Sequence, residues 1–280
     1  MMERSPFFDR FARDGYLLAP GFYDVEALIS PIQQGIRSIV ELLCQRFEVD
    51  VRCDTPEEAM TRAYPALIAR NRAWGGIVYD AVKQIPDFIA LVGHSKNIDL
   101  FRELRPGSIP GVAAGGYGIR IDNPGEAKFS APWHQEFPAQ LRSVDGVVFW
   151  TPLLPVSCEM GPVVIAEGSH KEGLVPVYED DGGIGKSGAY SLRLDRETER
   201  LEKYSQVAPL TNPGDLVAMD FLTLHRSGEN VSDCPRWSIQ FRFFNFADQV
   251  GQSIDWKGSF AAGQKFSDVL PQLVQNSGRD

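Results

Sequence analysis

The spacing of apolar residues changes near Pro106. Before it, Val25, Leu28, Ile29, Ile32, Ile36, Ile39, Val40 and Leu43 recur at the three-to-four interval of one helix face. Asp24 stands where an N-cap belongs, and Pro31 inside the stripe predicts a kink or a late start. A second helical stretch is expected from Pro56, with Glu57 and Glu58 in its first turn, continuing in pieces through Leu67 and Ile77. A third covers Asp87 to Leu104.

After Pro106, glycine and proline become frequent, and the segments between them are short and rich in β-branched and aromatic residues. Strands are expected at 117–121, 145–151, 163–165, 174–178, 203–208, 215–219 and 236–246. Short strands with no helices alternating between them predict a barrel or sandwich and not a parallel α/β sheet. The last strand is the most informative. Arg236, Ser238, Gln240 and Arg242 share one face, and Trp237, Ile239, Phe241 and Phe243 share the other. The N-terminal helices need an apolar surface to bury their stripe, so they are expected on the aromatic face. The polar face then points into a cavity between two sheets.

Length and charge narrow the function. The 280 residues are 43% hydrophobic and 23% charged, as in an ordinary globular protein. A net charge of −9 argues against nucleic acid as a partner, because phosphate binding needs a basic footprint. No apolar run approaches the roughly 20 residues that span a bilayer. The N-terminus mixes charges with Phe7, Phe8 and Phe11, unlike a signal peptide. Cys44, Cys53, Cys158 and Cys234 are scattered, which suits free thiols in a reducing, cytoplasmic setting. The sequence is silent on oligomeric state. The glycine-rich stretch 180–188 contains Gly185-Lys186-Ser187, but Asp180 stands where a phosphate-binding loop needs its first glycine. It reads as a mobile loop over a site, and it is a candidate for substrate or cosubstrate contact.

The chain has four histidines, His94, His134, His170 and His225. His134 and Glu136 are two apart, so on extended backbone their side chains converge on one side. His225 ends a strand-like run far along the chain. Two imidazoles and a carboxylate on one face of a metal, with the other face open, make the facial triad of non-haem Fe(II) oxygenases. Arg236 follows His225 by eleven residues, across a turn containing Gly228, Asn230 and Pro235. Its guanidinium suits the far carboxylate of a dicarboxylic cosubstrate. Charge counting agrees: iron, two neutral imidazoles and Glu136 leave one positive charge, a dianionic keto acid makes it −1, and Arg236 restores neutrality.

These features, in their order along the chain, resemble the phytanoyl-CoA dioxygenase family of Fe(II)/2-oxoglutarate oxygenases. Phe11-Ala12-Arg13-Asp14-Gly15-Tyr16-Leu17-Leu18 is similar to the family's opening. Arg120-Ile121-Asp122 resembles the approach to the first ligand. Val148-Phe149-Trp150-Thr151-Pro152-Leu153, Gly161-Pro162-Val163-Val164 and Glu167-Gly168-Ser169-His170-Lys171 resemble its middle, and His225-Arg226-Ser227-Gly228 with Arg236 its end.

The resemblance implies a cupin-like double-stranded β-helix, a jelly-roll relative with N-terminal helices packed on one sheet. It spans 1–280 as a single domain: helical cover over about 1–105, jelly-roll core over about 106–250, and a weakly specified tail over 251–280. It implies His134, Glu136 and His225 as iron ligands, and Arg236 with Ser227 on the distal carboxylate of 2-oxoglutarate. Trp150 and Arg120 would lie near that cosubstrate. Dioxygen completes the set, and the expected reaction is hydroxylation of a C–H bond in a small molecule. Tyr117, Gln240 and Arg242 are candidates for substrate contact. His170 is expected to be structural or pocket-lining, and His94 a surface or capping residue. The family usually has Asp where this chain has Glu136. Glutamate still supplies an oxygen anion, and it argues against halogenation, which needs a small residue there. A non-catalytic binding protein on the same scaffold and a zinc hydrolase stay open as alternatives.

Overall fold

In the computed structural model, which describes residues 5–179, 188–259 and 263–275, the first hundred residues are helical as expected. Helix α1 (Pro6–Asp14) ends on Gly15, whose φ of 76° is the left-handed closing turn that a glycine adopts without penalty. Helix α2 (Ser30–Arg46) buries Ile32, Ile36, Val40, Leu43 and Cys44. Asp24 caps the segment ahead of it, Val25–Ile29, which is wound as one wide π turn. That turn is how the chain accommodates Pro31: the ring would clash with a carbonyl four residues back, so the helix widens before it.

The same device recurs once among the described residues. Helix α3 (Pro56–Glu58), capped by Thr55, passes through a second π turn at Ala59–Ala63 into α4 (Tyr64–Arg70), just before Pro65. Helices α5 (Trp74–Val82), α6 (Pro86–Val92) and α7 (Ser95–Leu104) follow. The third expected helix is therefore two, broken at Gly93, and His94 caps the second by accepting from the Lys96 amide.

The strands are β1 (Tyr16–Ala19), β2 (Pro110–Val112), β3 (Gly118–Asp122), β4 (Val147–Pro152), β5 (Val164–Ala166) and β6 (Val177–Glu179). After them come β7 (Leu192–Leu194), β8 (Gln206–Val207), β9 (Leu216–Asp220), β10 (His225–Arg226), β11 (Arg236–Asn245) and β12 (Val274–Gln275). The main antiparallel sheet runs β1-β9-β4-β11-β2, with β3 also paired to β11. Two smaller sheets, β10-β5-β8 and β12-β6-β7, complete the jelly roll.

Alternation along the main sheet sorts its residues between two cores. Val147, Phe149, Trp237, Ile239, Phe241 and Phe243 pack against the helices. Val148, Trp150, Val217 and Met219 face inward with Ile165 and Val177 of the smaller sheets. Each fully buried large side chain contributes on the order of 2 kcal/mol relative to exposure. Helices and sheet are also joined by a polar contact. The π turn leaves the Met60 carbonyl facing Pro65, which has no N–H to offer, and the Trp237 indole N–H donates to it at 3.2 Å.

Candidate metal centre and active-site cavity

The segment leading to His134 runs beside β10, and the backbones of His134 and His225 exchange N–H···O bonds, both 3.1 Å. This cross-strand bridge sets the two imidazoles side by side, ring centres 4.3 Å apart. Gln135 points the other way. Its amide donates to the Gly173 and Leu222 carbonyls and its oxygen accepts from the Val175 amide, so it locks the segment to the wall behind. Glu136 opens the short helix α8 (Glu136–Gln140), its amide donating to the Phe221 carbonyl at 2.8 Å.

Both imidazoles have the same tautomer, because each Nδ1 meets a carbonyl, which can only accept. His134 Nδ1 donates to the Pro132 carbonyl at 2.8 Å and His225 Nδ1 to that of Thr223 at 2.9 Å. The Nε2 lone pairs are thereby aimed at Glu136. Its Oε2 lies 3.7 Å from Nε2 of His134 and 3.6 Å from that of His225, is buried, and has no hydrogen-bond partner. Burial holds His134 below the usual histidine range, and the neighbouring His225 pushes it the same way. Burial alone would raise Glu136, but Arg242 and the two imidazoles outweigh it and hold the carboxyl well below the usual range. Two nitrogen lone pairs and an unpartnered carboxylate oxygen, all on buried side chains and converging on one point, fit a divalent cation. Among the described residues, these three make the only group of His, Cys, Asp and Glu side chains arranged to hold a metal.

A cavity of about 280 Å³ opens on this face. Its lining includes Tyr117, Arg120, Trp150, Ser227, Arg236, Gln240 and Arg242, every cosubstrate and substrate candidate from the sequence. The polar face of β11 thus points inward, as its alternation requires. Ser227 is fixed by its backbone, whose amide donates to the Ala131 carbonyl, while its hydroxyl accepts from the Ala131 amide.

Arg236 has a partner that the sequence count of charges left out. It stands directly opposite Asp122 in the β11–β3 register and donates to Asp122 Oδ2 at 2.9 Å and to the Met160 carbonyl at 3.3 Å. Its Nε is buried without a partner. Arg120, two residues before Asp122 and on the same face, donates to both carboxylate oxygens. Burial would raise Asp122, but the two guanidiniums lower it below its usual value. The trio carries one positive charge, the same value assigned to Arg236 alone. The alternation Arg120-Ile121-Asp122 was the sequence signal for this cluster.

Arg242 lies in the cavity lining, and it also contacts the triad. Its Nε donates to Glu136 Oε1 at 2.9 Å, so its first contact is the carboxylate of the triad. Gln140, one helical turn after Glu136, is a buried lining residue that sequence reasoning missed; only its i+4 spacing pointed to it. His170 lies outside the cavity lining, its Nε2 against the Ala12 carbonyl, and is structural. Of the glycine-rich stretch, 180–187 lies outside the described residues.

Residues 118–238 match the profile of phytanoyl-CoA dioxygenase (PhyH). That segment is similar to the PhyH family. The PhyH segment runs from β3 to the first residues of β11 and contains the triad and Arg236, but stops short of Gln240 and Arg242. No curated protein matches the chain. Among solved structures, the non-haem α-ketoglutarate-dependent epimerase SnoN from nogalamycin biosynthesis is 17% identical, with a TM-score of 0.52 over 85% of this chain and 81% of its own. The α-ketoglutarate-dependent carbocyclase SnoK from the same biosynthesis is 14% identical, with a TM-score of 0.54 over 90% of each chain. EctD from S. alaskensis, solved with 2-oxoglutarate and 5-hydroxyectoine, is 16% identical, with a TM-score of 0.53 over 86% of this chain and 75% of its own. At these identities the likeness shows a shared fold. Among the described residues, no helix is long and apolar enough to cross a membrane.

Proposed function

We propose that this protein is an Fe(II)- and 2-oxoglutarate-dependent oxygenase that hydroxylates a C–H bond of a small molecule. The observation that carries the reading is the unpartnered Glu136 Oε2 between two imidazole lone pairs, inside a segment similar to the PhyH family. His134, Glu136 and His225 would hold the iron on one face. Arg236, with its buried Nε still without a partner, would take the distal carboxylate of 2-oxoglutarate with Ser227, while Arg120 and Trp150 border it. Iron with 2-oxoglutarate and dioxygen supplies, when bound, the oxidising power that an unactivated C–H bond requires. The chain supplies the rest: Arg236 orients one end of the cosubstrate, Trp150 keeps water from it, and Tyr117 and Gln240 position the substrate. Residues 1–280 would work as one domain, since the helices share the core of the main sheet.

The test is an anaerobic titration of the Fe(II)-loaded protein with 2-oxoglutarate, read by the visible charge-transfer band of a chelated keto acid, with Glu136→Ala alongside. A band in the native protein that the variant loses or shifts supports the reading. Bound iron without a band overturns it in favour of a binding protein, and zinc retained in place of iron favours a hydrolase. Product analysis then tests hydroxylation itself. Epimerase and carbocyclase are the activities named for SnoN and SnoK, so a substrate consumed without gaining oxygen would overturn the hydroxylase assignment alone.

A further inference from the structure

The three nitrogens of the Arg242 guanidinium are all engaged. Nε donates to Glu136 Oε1 at 2.9 Å, Nη1 to the Gly116 carbonyl at 3.2 Å, and Nη2 to Gln240 Oε1 at 3.2 Å. The last two partners hold the planar fork in place, and the first lets it hold Glu136. One carboxylate oxygen is thereby occupied, and only Oε2 is left facing the imidazoles. A glutamate has one more rotatable bond than an aspartate, so its carboxylate reaches further and is less defined by its backbone. We propose that Arg242 is a positioning residue that braces the longer Glu136 side chain, so that it presents a single oxygen to the metal. This rests on the oxygenase reading for the identity of the metal, and on the structure for the brace.

Two effects of Arg242 on a dication oppose each other. Its charge repels the metal, and its bond to Oε1 fixes the ligand. Removing the guanidinium changes both at once, so a single variant does not separate them. Shortening Glu136 does. In Glu136→Asp the carboxylate retracts by about one C–C bond, 1.5 Å, which takes it out of reach of Nε while it stays on the imidazole side. The repulsion persists in that background and the brace does not.

The experiment is a double-variant cycle read by Co(II) affinity, from anaerobic equilibrium dialysis and the Co(II) absorption bands, on the native chain, Arg242→Met, Glu136→Asp and the double variant. Loss of an outer contact to a metal ligand typically weakens metal binding about 10–100-fold. The expected result is that Arg242→Met weakens Co(II) binding at least about tenfold more in the native background than in Glu136→Asp, with the native absorption bands altered only in the former. If Arg242→Met fails to fold by near-ultraviolet circular dichroism, Arg242→Gln replaces it in the same cycle. Equal effects in the two backgrounds overturn the brace and leave the oxygenase reading intact. A native chain that binds no Co(II) overturns both.

Discussion

Asp122→Asn is the substitution whose cost follows most directly from the structure. Asp122 is 8% exposed, and two guanidiniums donate to it: the Arg120 Nε–H, shared between the two carboxylate oxygens at 2.8 and 3.0 Å, and Arg236 at 2.9 Å. Asparagine keeps the shape and one acceptor oxygen but removes the charge that balances two guanidiniums. It also turns an N–H toward one of them. Removing one partner of a buried ion pair costs about 3–5 kcal/mol, because the remaining charge is left uncompensated. The lower end applies here. Arg120 still donates to the Phe129 carbonyl at 2.6 Å, and the cavity gives both cations some access to water. A loss of about 3 kcal/mol in a domain of this size lowers Tm by roughly 6–12 °C.

The pH dependence supplies a second, independent check. The two guanidiniums hold the folded-state pKa of Asp122 below its ordinary value. A depressed carboxylate stabilises the fold fully above its unfolded pKa, about 3.9, and loses that contribution as pH falls through the folded value. Urea unfolding of native and variant protein should therefore show a gap that is flat from about pH 8 to 5 and shrinks below about pH 4. A gap under about 1 kcal/mol at neutral pH would refute the reasoning, since it would place Asp122 among exposed pairs. So would a gap that persists unchanged into acid.

Three further outcomes follow from individual contacts. Gly15→Ala puts a methyl group into the His170 ring and the Thr223 hydroxyl at a φ of 76°, and should cost roughly 3 kcal/mol in chemical unfolding. The Thr223 carbonyl also holds His225 Nδ1, so the same variant should weaken Co(II) binding in dialysis; a fully stable variant would contradict both. Trp237→Phe strands the buried Met60 carbonyl and leaves a small void, for a loss of about 2 kcal/mol by urea titration, and an unchanged midpoint would refute the bond. Arg236→Lys keeps the charge but loses the fork that serves Asp122, Met160 and an incoming carboxylate together. Anaerobic titration should show 2-oxoglutarate affinity falling at least about tenfold with metal affinity unchanged, and equal affinity would remove Arg236 from the cosubstrate site.

What could be read from the sequence tracks how local its cause is. The inward and outward faces of β11 were legible because a period of two is written in ten successive residues. The helical stripe of α2 was legible for the same reason, and Pro31 showed where that helix would change course. The π turns were not, because a kink and a widened turn are alternative answers to the same clash. Strands β1, β2, β7, β10 and β12 are two to four residues long, too short for any period, and pairing with neighbouring strands defines them. The triad was legible because histidine is rare here and its spacing to a carboxylate fixes a shared side. Arg242 was legible as a cavity residue, but its contact with the triad was not. Its bond to Glu136 joins residues 106 apart through the register of β11 against its neighbours, which no local pattern encodes.

That register gives the cavity its dimensions. Strand β11 is paired along its length, to β4 on one side and to β3 and then β2 on the other. Its backbone cannot slide without breaking both ladders and turning every inward side chain out. Arg236 and Arg242 lie six residues apart on its inner face, about 20 Å along the strand at the usual rise. Each meets a carboxylate at its own end, Asp122 for one and Glu136 for the other, with Gln240 between them. A cosubstrate bound to a metal at Glu136 and to a guanidinium at Arg236 would be gripped at two points whose separation the strand sets, and loop motion elsewhere would leave it unchanged. A shortened carboxylate at 136 would give up Arg242, so a metal held by Glu136 would be tied, through that bond, to the same rigid strand that carries Arg236.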